Sequence, residues 1–100
     1  MRFSHHIFIC TNEKEGKPCC GHDRGMEIVK EFKRQLSERG LKGQIRAQRA
    51  GCLDACDFGP SLVIYPEGTF YGHVTTNDVS RILDEHVIGG KVIEELEIHF

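Results

Sequence analysis

Apolar and polar positions along this chain change period repeatedly. His6-Ile7-Phe8-Ile9-Cys10 is a short continuous run whose β-branched and aromatic content predicts a buried strand. Thr11 to Gly21 is polar and reads as a loop. From about Asp23 the period becomes helical: Val29, Phe32 and Leu36, joined by Met26 and Ile28, share one face, with Lys30, Arg34 and Glu38 around the other. Asp23 is the expected N-cap and Gly40 the C′ stop. Alternation of Ile45 and Ala47 with Gln44, Arg46 and Gln48 predicts a half-exposed strand from about Gly43 to Ala50.

The second half starts with a loop, Gly51 to Pro60, that runs into Leu62-Val63-Ile64-Tyr65, a strand expected to be buried on both faces. Pro66-Glu67-Gly68 is a turn before Thr69 to Val74, so a hairpin is expected. Thr75 as N-cap and Asp78 at N3 then open a helix whose inner face is Val79, Ile82, Leu83, His86 and Val87, ended by Gly89-Gly90. In the tail, Leu96, Ile98 and Phe100 alternate with Glu97 and His99, a pattern for an edge strand or for covering a neighbouring chain. Strand, helix, strand in series implies a parallel crossover. The order β-α-β then β-β-α predicts an α/β two-layer sandwich with the topology of a thioredoxin-like core.

Length narrows this to one domain over residues 1–100, because two cores would each have half the chain. A net charge of −2 gives no global positive field, so neither nucleic acid nor an anionic membrane is an expected partner. No apolar run approaches the roughly 20 residues of a membrane span, and Ile7 to Cys10 is too short for a signal peptide. The expected compartment is therefore a reducing cytoplasm.

In that setting the 5 cysteines, Cys10, Cys19, Cys20, Cys52 and Cys56, become the informative residues. They are too few for a secreted disulfide scaffold, and clustered cytosolic thiols more often serve a metal or redox centre. If the first two strands are parallel, the loops carrying all of them leave the same end of the sheet. Thiolate sets select zinc or iron–sulfur clusters. Zinc sites favour pairs two to four residues apart. Only Cys52 and Cys56 fit that spacing; Cys10 with Cys19 or Cys20 makes a wide bridge better suited to a two-iron cluster. No C-x-x-C occurs, which weakens a thioredoxin-type redox thiol.

The stretches His6-Ile7-Phe8-Ile9-Cys10, the Pro/Gly loop to Cys20, Gly51-Cys52-Leu53-Asp54-Ala55-Cys56 and Gly59-Pro60 resemble those of the thioredoxin-like 2Fe-2S ferredoxins of bacteria. That family is related to the cluster-bearing small subunit of respiratory complex I. The likeness continues through Val63 to Gly68, Phe70-Tyr71-Gly72 and His86 to Gly90, nearly the whole chain. It implies a 2Fe-2S cluster bound by Cys10, Cys20, Cys52 and Cys56, one-electron transfer between redox enzymes acting as donor and acceptor, no enzymatic activity, and often a homodimer. The first loop is shorter than the family pattern and carries the Cys19-Cys20 doublet, so Cys19 stands as the alternative second ligand. Other readings are a zinc-stabilised protein-interaction module and a thiol-based redox sensor using Cys19 and Cys20.

An oxidised cluster with four thiolates carries roughly −2 and its reduced form roughly −3, an anion that needs N–H donors near sulfur. Gly21, Gly51 and Gly59 flank the proposed ligands and permit close backbone approach. His22 raises a mixed Cys/His site, against the plainer reading of a first-turn histidine. Asp54 and Asp57 read as solvating loop carboxylates or an acidic docking rim; Lys14, Lys17, Arg46 and Arg49 are the cationic counterpart. Phe70 and Tyr71 point to opposite faces, so one belongs to the core. His86 reads as a helix-end residue favoured by the dipole.

Overall fold

The structure, a computed structural model, describes residues 3–13 and 20–100, with the backbone alone for Cys56. Strand β1 (His5–Cys10) leads to helix α1 (His22–Glu38) and strand β2 (Ile45–Ala50), and the hairpin of β3 (Leu62–Tyr65) and β4 (Thr69–Tyr71) follows. The strands lie in the order β2-β1-β3-β4. β1 and β2 are parallel, while β3 runs antiparallel to both of its neighbours.

Alternation along each strand divides the sheet cleanly. Ile7, Ile9, Ile45, Ala47, Leu62, Ile64 and Tyr71 turn to one face, where they meet Ile28, Val29, Phe32 and Leu36 of α1 and Val79, Ile82, Leu83 and Val87 of the later helical segment. All helical packing is on this side, giving the expected two layers. Buried Gln35 joins them: its Oε1 accepts from Ser80 Oγ (2.9 Å), and Arg39 pairs with Asp84 nearby. Among the described residues the opposite face has no helix. It carries His6 stacked on Phe8, with Phe8 edge-on to Tyr65 and Phe70 edge-on to Phe100. Among the described residues no helix is long and apolar enough to cross a membrane.

Several boundaries differ from the sequence expectation. α1 begins at His22, and its N-cap is Gly21 at φ 85°; Asp23 sits inside the first turn, where its charge favours the helix dipole without capping. Gly40, at φ 69°, is the left-handed C′ residue expected. β4 stops at Tyr71 because the next amides turn away: His73 N–H donates to Phe58 O (2.7 Å) and Val74 N–H to Pro60 O (3.0 Å). The last helix keeps its Thr75/Asp78 capping box, but it is not one α-helix. A 3₁₀ turn (Thr76–Asp78) and an α-turn (Val79–Arg81) widen into a π-helical stretch (Ile82–Ile88). The tail bridges Glu97 to Tyr71 on the edge of β4 in its own chain, and Phe100 is left 76% exposed.

Candidate metal centre

Strand register brings the site together. Cys10 ends β1 opposite Ala50, the last residue of β2, so the chain leaving β2 reaches Cys52 beside the end of β1. Thr11 N–H donates to Ala50 O (3.0 Å), which ties the two strand ends. Gly21 N–H donates to Asn12 O (3.0 Å), which holds Cys20 close to Cys10. From the other side, Cys10 N–H donates to Ser61 O (3.0 Å), just ahead of β3. The backbone of Cys56 lies in a 3₁₀ turn (Cys56–Phe58), which the Phe58 and Pro60 carbonyls anchor to residues 73–74 at this same end of the sheet.

The thiols of Cys10 and Cys20 are buried and interact directly, whereas Cys52 is exposed. Burial pushes the Cys10 thiol up to about 11, and contact with Cys20 adds to this, against the lowering effect of backbone hydrogen bonds from Asn12 and Leu53. The Leu53 contact shows that the loop after β2 lies over Cys10. Asp54 N–H donates to Cys52 Sγ (3.3 Å), with Asp54 held at φ 59°. Cys20 Sγ lies 3.1 Å from Ser61 Oγ.

The chemistry of this donor set suits a thiolate-bound metal group. Backbone N–H groups already point at two of the sulfurs, as an anionic centre requires. The raised Cys10 value means that the free thiol keeps its proton at neutral pH, so a bound cation must displace it. Among the described residues no three His, Cys, Asp or Glu side chains form a group around one ion. What the structure brings together is the Cys10/Cys20 pair, with Cys52 on the loop that covers it. Cys19, Lys14 and Lys17 lie outside the described residues.

A family model described as sucrase/ferredoxin-like matches residues 2–98. The chain belongs to the sucrase/ferredoxin-like family. Among its relatives, a protein named "Ferredoxin, 2Fe-2S" from Clostridium pasteurianum is 39% identical over 97 residues, covering 94% of this chain and 95% of the relative. A protein of the same name from Aquifex aeolicus is 32% identical, covering 93% and 87%. The solved thioredoxin-like [2Fe-2S] ferredoxin from Aquifex aeolicus superposes with a TM-score of 0.87 at 31% identity, covering 99% of this chain and 93% of that one. The fold of this sucrase/ferredoxin-like chain is thioredoxin-like.

Two residues around the family's fold elements carry more than their sequence context suggests. His86 lies in the last turn of its helical segment and on the inner face, as expected, but it is 2% exposed and makes buried side-chain contacts that the pattern did not foretell. Its Nδ1 is hydrogen-bonded to Tyr71 Oη, and its Nε2–H donates to Glu67 Oε2 (2.6 Å), while Tyr71 Oη accepts from Ile93 N–H (3.0 Å). The wider π turn carries His86 on the same inward face as Ile82, Leu83 and Val87. Burial draws Glu67 upward, but the hydrogen bond from His86, its own backbone N–H and the charges of His5 and His86 together hold it below the usual carboxylate range. Ser61 drew no notice in the sequence; its only signal there is a hydroxyl directly before an apolar strand. His22 is an exposed first-turn residue with its Nδ1 3.4 Å from Asp23 Oδ1. Asp54, Asp57, Arg46 and Arg49 are exposed, and Phe70 and Tyr71 do face opposite ways.

Proposed function

We propose that this protein is a small 2Fe-2S ferredoxin, a one-electron carrier between larger redox proteins in a reducing cytoplasm, and not an enzyme. Cys10, Cys20, Cys52 and Cys56 hold the cluster. The observation that carries this reading is the adjacent, buried Cys10/Cys20 thiol pair, with N–H donors directed at Cys10, in a chain 39% identical to a protein named a 2Fe-2S ferredoxin. When bound, the cluster supplies a site for one added electron. The chain's own residues bury two ligands, donate hydrogen bonds to sulfur and keep the exposed Cys52 loop at the surface, where an electron can pass to a docked partner.

A second copy of the chain pairs with the first through the open sheet face. Its centre, Phe8, Val63, Tyr65 and Phe70, is uncharged, so a twofold axis there sets like against like without burying charge. Anaerobic titration with dithionite, followed in the visible spectrum, tests the carrier function. Reversible bleaching by one electron equivalent per cluster is the expected result; a colourless chain that accepts no electron contradicts it.

A further inference from the structure

Ser61 and Cys20 are each 1% exposed, and their side-chain oxygen and sulfur lie 3.1 Å apart. Among the described residues the Ser61 hydroxyl has no other hydrogen-bond partner, and a buried hydroxyl without one is strongly disfavoured. Ser61 is also held in place from both sides. Its carbonyl accepts the Cys10 N–H (3.0 Å), and the next residue, Leu62, is paired with Ile9 in the sheet. The hydroxyl is therefore a fixed group at a sulfur.

Between a serine and a free thiol either partner can donate. A metal-bound thiolate has no proton, so the direction is then forced: Ser61 Oγ–H donates and Cys20 Sγ accepts. Such a bond strengthens as negative charge on the sulfur grows. Reduction adds one electron from a donor protein and converts one ferric ion to ferrous. No covalent bond breaks and no proton moves, but sulfur charge rises, so the bond favours the reduced state.

We propose that Ser61 is a positioning residue that raises the reduction potential of the centre by donating its hydroxyl hydrogen to the Cys20 sulfur. This rests on the carrier reading with Cys20 as a ligand. It adds a polar side chain to the backbone donors at Cys10 and Cys52.

The test compares wild type, Ser61→Ala and Ser61→Thr, purified anaerobically, by iron and sulfide content, potentiometric titration and resonance Raman spectroscopy. Ser61→Ala is expected to hold the same iron and sulfide as wild type. Its reduced-to-oxidised ratio at fixed potential should fall by up to about tenfold, equivalent to about 59 mV for a one-electron couple. Its Fe–S stretching bands should also shift, and Ser61→Thr should restore both properties. If Ser61→Ala assembles no cluster, Ser61→Cys supplies a weaker donor of similar size and should give a lower potential than wild type. Unchanged potential and bands in a fully loaded Ser61→Ala or Ser61→Cys protein would overturn the proposal. Wild-type protein lacking iron would instead overturn the carrier reading, and the proposal with it.

Discussion

Gly25, in the first turns of α1, lies directly against the Cys10 carbonyl at the end of β1. A Cβ there would collide with that oxygen and come within 2.9 Å of Thr11 Cγ2 and 3.0 Å of Thr11 Cα. The helix can thus approach the strand end that carries the first cysteine only because residue 25 has no side chain.

Gly25→Ala is accordingly expected to push α1 away from β1. Overpacking of this kind costs about 1–3 kcal/mol. A thermal melt should record a lower midpoint, and iron should be lost faster to a chelator. An unchanged melt would show that the helix adjusts without strain.

The chain Ile93–Tyr71–His86–Glu67 links the tail, β4, the π-helical stretch and the hairpin turn. Tyr71→Phe removes the shared hydroxyl, leaving the Ile93 N–H and His86 Nδ1 without it. The expected loss is about 1–3 kcal/mol in urea unfolding, with faster amide exchange at Ile93 and in the tail. Full protection of the Ile93 amide in the variant would rule out this latch.

Acid should weaken the same contact. Glu67 is more acidic in the folded protein than its ordinary value of 4.5, so its contribution is complete above that value and lost as pH falls through the lower folded one. Urea midpoints measured on wild type and Glu67→Gln should therefore converge as pH drops below about 4.5. Curves that stay parallel would contradict the assignment.

How much of this could be read from the chain depends on the range of the interactions involved. Period-two and period-3.6 patterns placed β1, α1, β2 and the β3–β4 hairpin, because each of those elements buries its own apolar stripe. The end of β4 and the π turn escaped because they follow from long-range partners, Phe58 for His73 and Tyr71 for His86. The expected parallel pairing of the first two strands pointed to one end of the sheet, and register does bring Cys10, Cys20 and the Cys52 loop there. Ser61 escaped because one hydroxyl before an apolar strand has no meaning until its partner, 41 residues earlier, is known.

Tyr65, 43% exposed on the open sheet face, tests the pairing of two copies. Tyr65→Lys would set two like charges across the proposed twofold axis. Light scattering should then report monomers where wild type gives dimers; wild type that is monomeric at high concentration would discount that interface.

Replacing single cysteines separates the doublet. Cys20→Ser should abolish or severely weaken the visible spectrum, whereas Cys19→Ser should leave it intact. The reverse pattern would transfer the ligand role to Cys19.

The most direct measurement is iron, acid-labile sulfide and zinc analysis of the anaerobically purified wild-type chain, paired with electron paramagnetic resonance after dithionite. Iron and sulfide in equal amounts, at one 2Fe-2S cluster per chain, with a paramagnetic signal only after reduction, is the predicted result. A colourless protein containing stoichiometric zinc and no sulfide would contradict it.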